Sequence, residues 1–220
     1  TSMGYKTYNS FWTQELADKI LNDRGHKMDL IFSANCICHI PDLDECFKAI
    51  SKILARDGVF AFQDPDLASM ITKTSYDQLY DEHAHIFSVT ALKNILQKYS
   101  LQIFDVVHYK NIHGGSNVIM VAHEGTRTPS QKLAKALSYE DEVGLNDEKA
   151  YFTFAKNVQQ SKKELVEELS RCKDRGQKVV SYGATSKSTT VFNYCGINSE
   201  LIEFIVDTTP EKIGKLSPGM

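Results

Sequence analysis

The chain has 220 residues, of which 42% are hydrophobic and 24% charged, and carries a formal net charge of −3. This is the composition of a globular protein of one or two domains. It offers no basic field for nucleic acid or an anionic membrane, and no apolar run reaches the roughly 18 residues that span a bilayer. No signal peptide is evident at the start, so cytoplasm is the expected compartment.

The opening Thr1-Ser2-Met3 reads as a cloning remnant or an arbitrary cut. Residues 11–23 then read as a helix. Met28 to Ser33 is short, apolar and followed by a polar break, which predicts a buried strand. Pro41-Asp42 opens a helix with Leu43, Cys46, Phe47, Ile50 and Leu54 on one face. Asp57-Gly58 closes it, and Val59 to Phe62 is a second strand. Strand, helix and strand with short joints make a parallel α/β unit.

A polar, aromatic-rich loop or short helix is expected from Gln63 to Phe87. Ser88 caps a helix over 89–99. Leu101–His108 and Asn117–His123 read as strands joined by a turn compatible with antiparallel pairing. Thr128-Pro129-Ser130-Gln131 reads as a capping box for a helix over about 129–142. Asn146 caps a longer helix ending near Gly176, with Phe154, Val158, Leu165, Leu169 and Cys172 on its apolar face. Strand, turn and helix then recur: Val179–Tyr182, the turn Gly183–Ser188, and Leu201–Val206 ending at Asp207. Pro218-Gly219-Met220 gives no sign of a natural domain end.

The five cysteines form no disulfide framework. Cys36 and Cys38 are expected on one face of a strand as reduced thiols. A metal reading of Cys36, Cys38 and His39 is weaker than burial of cysteine as a small hydrophobe.

In parallel α/β sheets, ligands bind beyond the carboxyl ends of the strands. Three segments fall there: Ala34 to His39, Gln63 to Asp66 leading into Tyr80-Asp81-Glu82-His83, and His113-Gly114-Gly115. Tyr80, Glu82, His83 and His85 are the densest set of acid/base groups, unless they merely cap a short helix. His39 alone is equally a packing or capping residue, and Gly114-Gly115 equally a plain turn. Gly183, Thr185, Lys187 and Ser188 surround a helix N-terminus suited to phosphate, or form an ordinary capped helix. Asp207 lies where a dinucleotide fold places a ribose-binding acid.

Together these motifs resemble the sugar C-methyltransferases that act on dTDP-linked 4-keto-deoxysugars. The resemblance is carried by Asp29 to Asp42, Asp57 to Phe60, Lys73 to His83 with Phe87-Ser88, His113 to Ser116, Tyr182 to Thr190, and Val206 to Lys212. It implies an α/β chain: the C-terminal half of a class I (Rossmann-like) methyltransferase domain over 1–124, a helical linker over 125–176, and the start of a second Rossmann-like domain over 177–220. The family's N-terminal zinc domain and glycine-rich cofactor loop have no counterpart here, so zinc is expected only outside this chain.

The resemblance makes S-adenosylmethionine the cofactor, with Ala34 and Asn35 beside its methionine end. It makes His83 the base that deprotonates the carbon next to the ketone, with Glu82 holding the imidazole. Tyr80 and His39 bond the sugar or the developing oxyanion. His113, Gly114 and Gly115 face the substrate, and Gly183, Thr185, Lys187 and Ser188 its diphosphate. The expected partner is a nucleotide-linked sugar, with no nucleic acid and no membrane; an oligomer is possible. Gln63, Asp66 and Val118 depart from the family's usual acid, tyrosine and arginine. Two other classes stay open: a fragment or sugar-nucleotide-binding module without turnover, and a nicotinamide- or nucleotide-binding oxidoreductase. The missing glycine fingerprint counts against the last.

Overall fold

The computed structural model describes residues 4–219; Thr1-Ser2-Met3 and Met220 lie outside the described residues. The chain forms two compact units. One runs through Leu67 and resumes at Ala84–Glu142; the other takes Ala68–His83 and the chain from Val143 onward.

The first unit holds a four-stranded mixed sheet. Its strands are β1 (Met28–Ala34), β2 (Leu54–Pro65), β3 (Leu101–Tyr109) and β4 (Ser116–His123), in the order β1-β2-β4-β3. β1 and β2 are parallel, whereas β4 runs antiparallel to both β2 and β3. The crossover from β1 to β2 is α2 (Leu43–Ile53), capped by the Asp42 carboxylate on the Glu45 amide. Cys46, Phe47, Ile50 and Ile53 are buried along it, a spacing of three or four that puts one stripe on the sheet.

The predicted boundary after α2 moves. The helix stops at Ile53 and β2 begins at once with Leu54, which pairs with Met28. Gly58 lies inside the strand rather than ending the helix. A Cβ there would come 2.8 Å from the Met28 carbonyl oxygen, so close strand approach requires glycine.

α2, α4 (Val89–Gln97) and α5 (Gln131–Val143) bury Phe47, Leu92, Leu96 and Leu133 against Phe60, Phe62, Ile103 and Val121 of the sheet. α1 (Gln14–Arg24) packs on α2 through Ala17, Ala49 and Ile53. Leu30 and Phe32 of β1 are 64% and 66% exposed, and β1 pairs only with β2 among the described residues.

Cys36 and Cys38 do not share a strand face. The chain leaves β1 at Ala34 into a 3-10 turn over Ile37–His39, which exposes Cys36 and buries Cys38. The cap of α5 also shifts. The Ser130 hydroxyl, not Thr128, accepts the Leu133 amide at 3.2 Å.

The second unit contains α6 (Glu148–Asp174), the parallel pair β5 (Ser181–Tyr182) and β6 (Ile205–Val206), and α7 (Ser186–Cys195). Asp147, one residue past the expected Asn146, caps α6. Phe154, Val158, Leu165 and Leu169 of α6 pack with Phe192, Cys195 and Tyr76, as their spacing predicts. The last strand is shorter than expected, but ladder bonds run from Val179 to Gly183: Glu203 N–H to Val179 O, Ser181 N–H to Phe204 O, and Gly183 N–H to Val206 O. Among the described residues no helix is long and apolar enough to cross a membrane.

One buried charge organises the first unit. Glu140 of α5 is 1% exposed, and its carboxylate accepts the Val89 and Thr90 amides at 2.5 and 2.8 Å. An acid from a neighbouring helix thus satisfies the first donors of α4 and complements its dipole. Glu140→Ala strands two buried donors and is expected to lower stability by about 2 kcal/mol or more in urea unfolding. Glu140→Gln, which keeps one acceptor, is expected to lose less.

Candidate active site

The sequence-predicted residues fall into two groups, one in each unit. In the second unit, α3 (Leu67–Lys73) leads into a 3-10 turn at Tyr76–Gln78. Tyr76 anchors that turn. Its ring is buried against Tyr194, and its hydroxyl lies 3.5 Å from Cys195 Sγ. The Leu79 carbonyl accepts the Thr190 hydroxyl of α7 at 3.4 Å. The loop carrying Tyr80, Glu82 and His83 is therefore pinned to a helix.

His83 is fixed by two bonds. Nδ1 lies 2.8 Å from the Gln78 carbonyl oxygen, and Nε2 lies 2.9 Å from Tyr80 Oη. A carbonyl only accepts, so Nδ1 carries the proton. In the neutral ring, Nε2 then presents its lone pair and accepts the tyrosine hydroxyl. The Tyr80 and His83 rings lie 4.2 Å apart. Sequence reasoning gave the orienting role to Glu82; at Nδ1 the Gln78 carbonyl fills it. A backbone carbonyl leaves no residue-type signal to read.

The turn into α7 also lies in this unit. Thr185 and Ser188 form a reciprocal capping box, each side-chain oxygen accepting the other's amide. The Ala184 amide bonds Asp207 Oδ2 at 2.7 Å, and the Thr209 amide bonds Asp207 Oδ1 at 2.8 Å. The Thr209 and Ala184 donors hold the Asp207 carboxyl well below the usual carboxylate range, with help from Lys212. Asp207 thus closes the Gly183 turn rather than standing open. The amides of Ala184, Thr185 and Ser188 are engaged internally, which leaves Lys187 as the principal cationic group of the turn. Burial pushes its ammonium down, and the Asp77 charge opposes that.

In the first unit, Ala34, Asn35 and His39 sit at the carboxyl ends of β1 and β2. Asn35 adopts a left-handed φ of 49° that turns the chain aside, and its amide bonds the Gln63 carbonyl at 2.7 Å. On the other side of β2, His113, Gly114 and Gly115 all take positive φ, at 49°, 80° and 140°. The tight reversal suits glycine at the last two positions. The Gly115 carbonyl accepts the Asp66 amide at 3.1 Å.

Sequence reasoning placed Gln63 to Asp66 at this sheet end, but not the buried polar contacts made there. Asp66 Oδ1 accepts Asn117 Nδ2 at 3.0 Å, and Asn117 Oδ1 accepts His108 Nδ1 at 2.9 Å. Asp64 is 4% exposed, on the same strand face as Phe60 and Phe62. Neither of its carboxylate oxygens makes a hydrogen bond of ordinary geometry. The Cys38 thiol and the Cys38 and Cys36 amides nevertheless lie close enough to favour its charged form. Burial outweighs them and pushes the carboxyl up to about 6. Burial, then the Asp64 charge, raises the Cys38 thiol far above its usual range, so Cys38 behaves as an inert core thiol. The signal for Asp64 was in the alternation: an acid two residues after Phe62 and four after Phe60 continues the core face.

With these features in view, comparison with known proteins places the chain. Residues 111–220 match the family described as C-methyltransferase C-terminal domain, and residues 6–106 match a methyltransferase domain family. The chain belongs to the C-methyltransferase family. It is 30% identical over 217 residues to the C-methyltransferase NovU of Streptomyces niveus, covering 98% of this chain and 51% of that protein. The chain thus spans about half the length of this curated relative. Among solved structures, the magnesium protoporphyrin IX methyltransferase ChlM from Synechocystis PCC 6803, with bound SAH, aligns at 17% identity. That alignment covers 56% of this chain and 54% of that one, with TM-score 0.35. The M1.HpyAVI-SAM complex aligns at 10% identity over 55% and 54%, with TM-score 0.33. Both scores are too low to bear on the fold.

Asp64 sets a pH dependence. Its folded value of about 6 exceeds the ordinary 3.8, so between these values the folded chain binds more protons than the unfolded one. Its contribution is present at low pH and is lost as pH rises through about 6. Asp64→Asn is therefore expected to gain stability relative to the parent between pH 4 and 7, by about 3 kcal/mol. Paired urea unfolding curves across that range check this.

Proposed function

We propose that this chain carries part of the active site of an S-adenosylmethionine-dependent C-methyltransferase acting on a nucleotide-linked keto-deoxysugar. The observation that carries the reading is the geometry of His83: Nδ1 is tied to the Gln78 carbonyl, and Nε2 meets the Tyr80 hydroxyl.

Methyl transfer to carbon needs a carbon nucleophile. The proton on a carbon next to a ketone is acidic enough for an imidazole to remove, giving an enolate. His83 Nε2 takes that proton. Tyr80 then no longer has a lone pair to donate to, and its hydroxyl turns to the enolate oxygen. Donors placed at such an oxygen are each worth roughly 3–4 kcal/mol in comparable sites. The loop's attachment to α7 keeps this pair in place.

The end of β1 fits part of the cofactor. Ala34 is small and exposed, and the left-handed Asn35 carries the chain aside, so the strand end stays open. S-adenosylmethionine bound there supplies an electrophilic methyl group. His39, on the turn after β1, hydrogen-bonds the sugar, and Glu82 stays the acidic neighbour of the base. His113, Gly114 and Gly115 lie along the substrate. Lys187 meets the diphosphate beside Gly183, Thr185 and Ser188, and does so as a point charge where the Ala184, Thr185 and Ser188 amides are engaged.

The exposed Leu30 and Phe32 on β1 favour a second reading for this chain on its own: sugar-nucleotide binding without turnover. Isothermal titration with S-adenosylmethionine separates the two. Heat of binding supports a working cofactor site, and none supports the second reading.

In the complete enzyme, His83→Asn is expected to lower kcat at least about 100-fold with little change in sugar affinity. Unchanged turnover would remove His83 from the mechanism. Lys187→Ala is expected to weaken dTDP binding by about 10-fold in titration, the scale of one lost charge-assisted contact. Equal affinities would place the diphosphate elsewhere.

A further inference from the structure

The core face of the sheet changes character at the carboxyl ends of β2 and β3. Further in, that face is apolar: Phe60 and Phe62 on β2, Ile119 and Val121 on β4, and Ile103 and Val106 on β3 are all buried. At the sheet end it carries Asp66, Asn117 and His108 instead. Asp66 and Asn117 are buried, whereas the His108 side chain is 35% exposed.

Burying an acid and an amide beyond an apolar face is unfavourable unless their polar atoms are bonded. Here they are bonded in series. Asp66 Oδ1 accepts Asn117 Nδ2 at 3.0 Å, and Asn117 Oδ1 lies 2.9 Å from His108 Nδ1. The other Asp66 oxygen is 3.9 Å from the same ring nitrogen. Asn117 and His108 are partners across the β3–β4 ladder. Cross-strand pairing of these two alone would need no buried acid behind them.

Chemistry sets the direction of each bond. A carboxylate only accepts, so the NH2 end of Asn117 faces Asp66. Its carbonyl end then faces the ring, and because that oxygen only accepts, Nδ1 carries the proton. In the neutral ring the lone pair is left on Nε2, which has no hydrogen-bond partner among the described residues. With a carboxylate behind it, this ring suits a neutral donor such as a hydroxyl better than a phosphate.

The ring also stands in the right place. His108 is the penultimate residue of β3, at the foot of the hairpin that carries His113, Gly114 and Gly115. Asp66 holds that hairpin too, through its amide on the Gly115 carbonyl at 3.1 Å. One buried acid thus fixes both the reversal and the exposed ring beside it.

We propose that His108 is a sugar-contacting residue: Asp66 and Asn117 fix it as the Nδ1–H tautomer, and Nε2 accepts a hydroxyl of the nucleotide-linked sugar. The relay stands on the hydrogen bonds, whereas the identity of the donor rests on the methyl-transfer reading.

The test uses the complete protein with isotope-labelled histidine and two variants, His108→Phe and Asn117→Leu. Ring-nitrogen NMR at alkaline pH is expected to show His108, assigned by its loss in His108→Phe, as the Nδ1–H tautomer. Asn117→Leu is expected to release it to the Nε2–H form. Both variants are expected to bind a nucleotide-linked 4-keto-deoxysugar about 10-fold more weakly in titration with S-adenosylhomocysteine present. Affinity for dTDP, which lacks the sugar, is expected to stay at the parental value. An Nε2–H ring in the parental protein overturns the relay. Parental sugar-nucleotide affinity in His108→Phe overturns the contact, and so does an equal loss for dTDP. These readings need only the parental protein and a change at an exposed position, so they decide the matter even if Asn117→Leu fails to fold. A parental protein with the Nδ1–H ring that binds no nucleotide-linked sugar supports the relay and refutes the methyl-transfer reading instead.

Discussion

The Leu67 amide bonds the Phe87 carbonyl at 2.9 Å, and Asp66 bridges the same residue. This contact closes the excursion that leaves the sheet after β2 and returns before α4. The loop carrying Tyr80 and His83 lies inside it, so its two ends are held together whatever the loop does. The same stretch of β2 holds two other segments. Gln63 and Asp64 face the turn after β1, and Asp66 takes the Gly115 carbonyl and the Asn117 amide. Gln63 and Asp66 therefore hold the turn after β1 and the His113–Gly115 reversal, two of the segments that the parallel-strand rule assigns to ligand binding.

One polar residue at this point, Asp64, is unfavourable for the fold. Asp64 works against stability at neutral pH, while Glu140 is buried but well bonded and caps α4. The contrast separates two uses of a buried acid. One completes a helix terminus; the other is retained at the mouth of the sheet despite its burial. His83 follows a third pattern: a backbone carbonyl sets its tautomer, and a tyrosine hydroxyl meets its other ring nitrogen.

Much of this was legible in the sequence because it rests on periodicity. The stripe on α2, the stripe on α6 and the alternation along β2 all specify which face is buried. The family resemblance rested on motifs at strand ends and was upheld by the family match over residues 111–220. What escaped notice depended on partners distant in sequence. Strand β2 begins at Leu54 because Met28 pairs with it, which no local rule states. The Cys36-x-Cys38 spacing suggested a strand, but the left-handed Asn35 breaks the extension one residue earlier. Asp207 looked like an open ribose acid, yet its oxygens are taken by Ala184 and Thr209, and only the folded turn brings those amides to it.

The central claim is that this protein makes a nucleophile of a sugar carbon by taking its proton on His83. Solvent isotope exchange reads that step without methyl transfer. The complete protein is incubated in D2O with a nucleotide-linked 4-keto-deoxysugar and S-adenosylhomocysteine, and deuterium at the carbon next to the ketone is followed by NMR. Enzyme-dependent incorporation at that carbon, abolished in the His83→Asn protein, is the predicted result. Incorporation no faster than in buffer, or equally fast without the imidazole, would contradict it.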